Sequence, residues 1–297
     1  MSNLVPDGWS KPRLKEVVTH FQNGYAFSAK GYVESGIPII SMGSIQLDGQ
    51  FKKVNSKLKF WDSGKKEELS RYLVKPCDLI MAMTDVTPTM ELIGRSCIVK
   101  GKSEYFLNQR VGLISFDEDE ISKEYFSYYT NFNEWRSYCI GSSGLGAQAN
   151  LGTSQILDGF VTLPPLPEQQ KIANILTSVD EVIEKTQAQI DKLKDLKTGM
   201  MQELLTHGIG HTEFKDSPVG RIPAEWEVKP LIDVVKNIID CEHKTAPYVD
   251  KSEYLVVRTS NVRNGELTHQ DMKFTTKGGF KAWTKRAVPA VGDVLFT

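Results

Sequence analysis

The hydrophobic positions of this chain change their period along its length. Through the first 165 residues they come in short runs, Ile37-Pro38-Ile39-Ile40, Asp78-Leu79-Ile80-Met81 and Val111-Gly112-Leu113-Ile114, separated by Gly, Asn, Asp and Ser turns. Short apolar runs bounded by turn residues predict strands. The stretch Ser122 to Tyr138 is polar and aromatic at helical spacing and predicts one helix. Leu163-Pro164-Pro165-Leu166-Pro167 reads as non-helical, and Glu168 to His207 then runs without proline. There a heptad emerges, one core position falling at Leu176, Ile183, Ile190, Lys197 and Leu204 and the other at Ile172, Val179, Thr186, Leu193 and Met200. Eight of these ten residues are apolar, which predicts a sustained seam along a helix about 60 Å long, in need of a partner helix. Basic His207 and then Gly208 supply its stop signal.

After the helix the first pattern starts again. Pro6-Asp7-Gly8-Trp9 returns as Pro223-Ala224-Glu225-Trp226, 217 residues later. At the same offset Val17-Val18 matches Val234-Val235, Ile39-Ile40 matches Val256-Val257, and Ser44-Ile45 matches Asn261-Val262. Pro76 to Ile80 corresponds, after a small gap, to Pro289 to Leu295. On this reading the sequence stops at Phe296-Thr297, inside an expected strand about halfway through a second copy. An α+β fold follows: a mixed α/β module over 1–165, a long coiled-coil helix over 166–208, and a partial second module over 209–297.

Composition adds exclusions. A length of 297 residues suits two domains or a domain and a half, and a formal net charge of −1 argues against a nonspecific nucleic-acid coat. Charge is nevertheless uneven: residues 1–110 carry 16 basic and 11 acidic side chains, whereas 111–170 carry 2 and 8. The excess peaks between Lys52 and Lys75, where Phe51, Phe60, Trp61 and Tyr72 are interleaved. Such a mixture suits phosphates and bases, or simply a solvated surface. No apolar run approaches membrane-spanning length, and Met1 to Asp7 has no signal-peptide pattern. Four scattered cysteines, Cys77, Cys97, Cys139 and Cys241, point to reduced thiols and a cytoplasmic protein.

Catalytic signatures are missing. There is no Asn/Asp-Pro-Pro-aromatic motif of an amino-methyltransferase and no phosphate-binding Gly-rich loop. His207 and His211 are separated by glycines that disfavour a helical metal pair, and Asp117 to Glu120 reads as an acidic loop before a helix.

The block Leu163 to Ala173 (Leu-Pro-Pro-Leu-Pro-Glu-Gln-Gln-Lys-Ile-Ala), followed by the heptad helix, resembles the specificity subunit of type I restriction-modification systems. So does the restart Gly220-Arg221-Ile222-Pro223-Ala224-Glu225-Trp226, with support from Asn108 to Val111 and Gly141 to Gly144. The resemblance implies target recognition domains that each read half of a split double-stranded DNA site, and antiparallel helices that space them. It implies methyltransferase subunits and a translocating nuclease subunit as partners. S-adenosylmethionine, ATP and magnesium would then belong to those partners, and none to this chain. Against that pattern the second recognition domain is cut short and the second helix is lacking. The seam Ile172, Leu176, Val179, Ile183, Ile190, Leu193, Met200 and Leu204 would then pair with the same helix of a second copy, or with another chain. Two other classes stay open: a recognition fragment of a fused restriction-methylation enzyme, and a noncatalytic coiled-coil adaptor.

Base reading needs hydrogen-bonding side chains on loops held by a rigid scaffold. Three loops qualify: Ser41, Ser44 and Gln46; Thr84, Asp85, Thr87 and Thr89, with Arg95 nearby; and Ser142, Ser143 and Gln148. Lys30, Lys57 and Arg71 are phosphate candidates. Asn108, Gln109 and Arg110 belong to DNA contact or to an internal network.

Overall fold

Each of the three apolar runs forms a strand. In the computed structural model, which describes residues 6–52, 58–144, 149–240 and 244–297, the first ten strands are β1 (Val18–Asn23), β2 (Ile37–Ile40), β3 (Phe60–Trp61), β4 (Leu73–Val74), β5 (Leu79–Ala82), β6 (Thr84–Asp85), β7 (Ser96–Ile98), β8 (Tyr105–Leu107), β9 (Val111–Phe116) and β10 (Ala149–Asn150). Two four-stranded sheets result, ordered β1-β9-β5-β7 and β3-β2-β8-β4, and β6 pairs with β10. The pairs of the first sheet are antiparallel. In the second, β2 and β8 run parallel and the outer strands antiparallel.

Strand β5 shows why its sequence is apolar without alternation. Leu79 and Met81 pack with Phe126, Trp135 and Ile156 on one face. Ile80 and Ala82 pack with Ile40, Val74 and Leu107 on the other. A strand covered on both faces has no polar side to show.

The stretch expected as one helix is two, α1 (Lys123–Tyr129) and α2 (Asn133–Ser142). Ser122 caps α1 by accepting from Tyr125 N–H at 3.2 Å. The break falls at Thr130, which is fully buried and accepts from Ser96 N–H of β7 at 3.1 Å, so a tertiary bond ends the first helix. The turn brings Phe126 and Trp135 edge to face at 6.1 Å. Gly141 and Ser142, expected in a loop, form the last turn of α2.

After α3 (Thr153–Asp158) comes α4 (Leu166–His207), 42 residues or about 63 Å. It begins two residues before Glu168, inside the proline block. Pro167 sits in the first turn, where a helix has no use for the missing N–H. Gln169 is 1% exposed: its Oε1 accepts from Ser122 N–H, and its Nε2 donates to the carbonyls of Glu120 and Pro164. The helix ends at Gly208, whose φ of 69° is costly for a residue with a Cβ.

The chain divides into two compact units, one up to Leu193 and one from Lys194. The second contains β11 (Phe214–Ser217), β12 (Gly220–Pro223), α5 (Leu231–Val234), β13 (Tyr254–Val256), β14 (Val262–Arg263), β15 (Glu266–Leu267), β16 (Lys273–Thr275) and α6 (Lys277–Trp283). Its local geometry repeats the first unit at the 217-residue offset. Trp9 and Trp226 each donate an N–H to the carbonyl of the proline three residues back, at 3.0 Å in both. The 3-10 turn Met42–Ser44 returns as Thr259–Asn261, with Ser44 and Asn261 both buried. The strand expected near Phe296 is not formed: Val294 is 91% exposed and Phe296 94%. In the first unit the corresponding β5 is held between β7 and β9, and no described residues of the second unit take their place.

Candidate nucleic-acid interface

The connections of both sheets converge at one end. Because β1 and β5 both run antiparallel to β9, the ends of β1 and β5 lie with the starts of β9 and β7. That gathers Gln22 and Asn23, the 84–95 connection, and Asn108 to Arg110. In the second sheet Ile40 aligns with Leu107, and Leu73 with Phe106, so Ser41 and Arg71-Tyr72 reach the same end. Lys59 joins them, its carbonyl accepting from Ile39 N–H at 2.8 Å. The seam between the sheets is tight at Gly24, where a Cβ would collide with the carbonyl oxygens of Leu107 and Asn108.

Two clefts open at this end. One, about 370 Å³, is lined by His20, Gln22, Asn23, Arg71, Tyr72 and Thr153, among others. The other, about 250 Å³, is lined by residues including Tyr32, Ser41, Ser44, Lys59 and Asn108. Neither lining includes an acidic side chain. In each a cation sits over a tyrosine ring, Arg71 over Tyr72 at 4.9 Å and Lys59 over Tyr32 at 5.7 Å. Thr153 donates to Asn23 Oδ1 at 3.1 Å and so ties the start of α3 to the end of β1.

The expected site residues divide by burial. Ser41, Arg71, Thr87 and Thr89 are exposed at this end. Lys30 is exposed in the 3-10 turn Ala29–Gly31. Ser44, Thr84, Asp85 and Ser143 are buried. Thr84 donates to Asn150 Oδ1, and Ser143 to the Ile140 carbonyl. Asp85 accepts from the N–H groups of Thr87 and Leu92 and from the Thr87 hydroxyl. Burial alone would raise its pKa, but these hydrogen bonds hold the carboxyl below its ordinary value. Burial lowers the pKa of Arg95, whose guanidinium donates to Asn131 and to the Glu91 carbonyl. Gln46 belongs to a turn closed by Gln50, which bonds Lys100 and Asp180 of α4 instead of facing the clefts. Ser142 accepts from the Gln155 side chain through its carbonyl. Asn108 turns its side chain onto Arg110 N–H, an internal contact, while its residue still lines a cleft. Lys57 and Gln148 lie outside the described residues.

Sequence reasoning missed His20, Gln22, Asn23, Lys59 and Thr153. Only non-local strand pairing brings them to the clefts, and no motif flags them. It also missed the width of the α4 stripe. Leu176, Val179, Ile183, Ile190, Leu193, Met200 and Leu204 are exposed, and so are Ile175, Val182, Leu196, Met201 and Leu205 beside them. Ile172, the first seam residue, instead packs on the core of the first unit.

Among the described residues no group of His, Cys, Asp and Glu could hold a metal ion, and no helix is long and apolar enough to cross a membrane. Burial pushes the Cys139 thiol up to about 12 and raises Cys97 as well, so neither is a reactive thiolate at neutral pH.

A protein of Methanocaldococcus jannaschii named "Putative type I restriction enzyme MjaX specificity subunit" is 28% identical over 234 residues, 76% of this chain and 52% of that protein. The MjaVIII specificity subunit of the same organism is 46% identical over 141 residues, 46% of this chain and 32% of that protein. The chain thus spans about half the length, or less, of these relatives. The crystal structure of a type I restriction-modification S subunit from M. genitalium is similar at 13% identity, with a TM-score of 0.47, over 69% of this chain and 47% of that one. The profile described as "Type I restriction modification DNA specificity domain" matches residues 6–195, well over half of the sequence, and the chain belongs to that family.

Proposed function

We propose that the chain is the sequence-specific DNA recognition subunit of a type I restriction-modification complex. In this reading it directs adenine methylation and restriction by partner subunits and is itself noncatalytic. The observation that carries the proposal is the convergence of the loops of both sheets on one end. There cations stacked on tyrosines and acid-free clefts meet exposed hydroxyl and amide side chains. Lys30, Lys59 and Arg71 set register on phosphates, and Ser41, Gln22, Asn23, Thr87 and Thr89 face base edges. Buried Ser44, Thr84, Asp85 and Ser143 shape the loops from within.

The 1–165 module is one reading domain, α4 the spacer, and 209–297 part of a second reader. The second reader presents Arg258 and Ser260 where the first has Ser41 and Gly43, so the two read different bases. The apolar stripe of α4 takes another long helix and the methyltransferase subunits. S-adenosylmethionine, ATP and magnesium act on the methyltransferase and translocase subunits, in the cytoplasm.

A net charge of −1 gives the lone chain little counterion release, so the partner assembly is the binding species. The full chain, isolated with the subunits it assembles with, is therefore presented with a randomised duplex library near 0.15 M salt. Enrichment of a split motif supports the proposal. Recovery of unselected sequences refutes it.

A further inference from the structure

The connection between β6 and β7 is exposed at its tip and buried at its root. Val86, Thr87, Pro88 and Thr89 are exposed, Val86 at 52%, whereas Asp85 is 1% exposed and Arg136 of α2 is 7% exposed. Asp85 closes the loop by accepting from Thr87 N–H at 2.7 Å and from Leu92 N–H at 2.6 Å. Arg136 donates through Nη2 to the carbonyl of Met90, a non-glycine residue at a φ of 50°. Its Nη1 is buried without a protein partner. A buried guanidinium that already has one unmatched donor loses still more free energy if its bond to the Met90 carbonyl breaks, which favours the loop conformation that keeps it. Trp135 reinforces the same side by donating to the Gly94 carbonyl at 2.8 Å. With Pro88 fixing one φ as well, the tip meets a ligand already ordered, which spares it an entropy cost on binding.

The chemistry of the tip is equally constrained. Thr87 has one hydroxyl proton, and it is donated to Asp85 Oδ1 at 2.8 Å. The carboxyl is held ionised by its own hydrogen bonds and has no proton to return. Thr87 Oγ1 is therefore acceptor-only: Thr89 Oγ1 donates to it at a long 3.4 Å, and its second lone pair is left for solvent. The donors a major groove offers such an acceptor are the amino groups of adenine and cytosine. Exposed methyls on the adjacent Val86 favour the pair that also carries a methyl group, which is A·T.

Resting on the DNA-recognition reading, we infer that this tip reads an A·T pair, Val86 against the thymine methyl and Thr87 Oγ1 accepting from adenine N6, with Asp85 and Arg136 as positioning residues. The library selection described above, repeated with variants of the full chain, tests it. Val86→Ala lowers the preference for A·T at one position of the motif about fourfold. Thr87→Val lowers it about tenfold at that same position. Arg136→Met keeps an unbranched stem without the unmatched donor; it blurs that one position, while the other half of the motif and the assembly on size-exclusion chromatography are unchanged. A merely structural role would instead weaken every position together. Should Arg136→Met fail to fold, the two exposed-tip variants decide. Unchanged preference at every position in both of them overturns the inference while the wild-type motif still upholds DNA recognition. A wild-type assembly that enriches no motif overturns both.

Discussion

Replacing Gln169 with leucine tests whether the start of α4 is locked to the first unit by hydrogen bonds or by apolar contact alone. Leucine fills much the same space, so the cavity is small. What is lost is three bonds: from Ser122 N–H at 3.1 Å, and to the carbonyls of Glu120 and Pro164 at 3.1 and 2.9 Å. The Ser122 and Pro164 bonds are buried, and the one to Glu120 is partly so. At about 1–3 kcal/mol for each buried group left unpaired, and less for the Glu120 carbonyl that water reaches, the loss is about 3 kcal/mol. In a unit of this size that lowers Tm by about 6–12 °C. Thermal melts followed by circular dichroism, with urea unfolding to check that the m-value is unchanged, give the number. A shift below about 2 °C at constant m refutes the reasoning. Gln169→Glu adds a sign test. Its carboxylate would face two carbonyls, raising its folded pKa above the unfolded value of about 4.3, so the variant's stability recovers below that pH and is lost as pH rises.

Gly24→Ala drives a Cβ into two backbone oxygens that cannot retreat without parting the sheets, and urea unfolding should show a loss of about 3 kcal/mol. Ile183→Asp and Ile190→Asp, at positions 60% and 42% exposed, leave the melting of the first unit unchanged but abolish partner assembly in pull-down and size-exclusion experiments. The same experiments on wild type show whether the partner helix belongs to a second copy. Asp85 has a folded pKa below its unfolded one, so its contribution is present above the unfolded value and lost as pH falls through the folded value. Asp85→Asn should flatten the decline in urea midpoint below about pH 4, and an unaltered acid slope would falsify that role. Arg71→Ala reduces the slope of log affinity against log salt by about one, equally for all sequences.

Strands and the long helix were legible because their signals are local. An apolar run between turns marked β2, β5 and β9, and a heptad marked α4. The motif Glu168-Gln169-Gln170 was visible as a block, but only the fold shows that Gln169 is its buried lock. Where local signals misled, a distant contact had intervened. Thr130 ended α1 because β7 lay against it, and Pro167 entered α4 because a first turn tolerates proline. The expected site was half legible: loops at strand ends could be chosen from sequence, but burial could not. Thr84, Asp85 and Ser143 read as exposed polar residues until β6 paired with β10 and α2 packed beside them, and Ser44 is buried in the 3-10 turn that follows β2. Gln22 and Arg71 are 49 residues apart, and only the pairing of both sheets at Gly24 brings them to one cleft.

The central claim is that this chain chooses the bases that partner subunits modify. Its most direct test is a genome-wide map of methylated adenines in cells carrying the chain and its methyltransferase, compared with cells lacking only the chain. The account predicts a split motif whose methylation disappears with the chain and returns when it is restored. Methylation of the same motif, at the same level, in cells without the chain would contradict it.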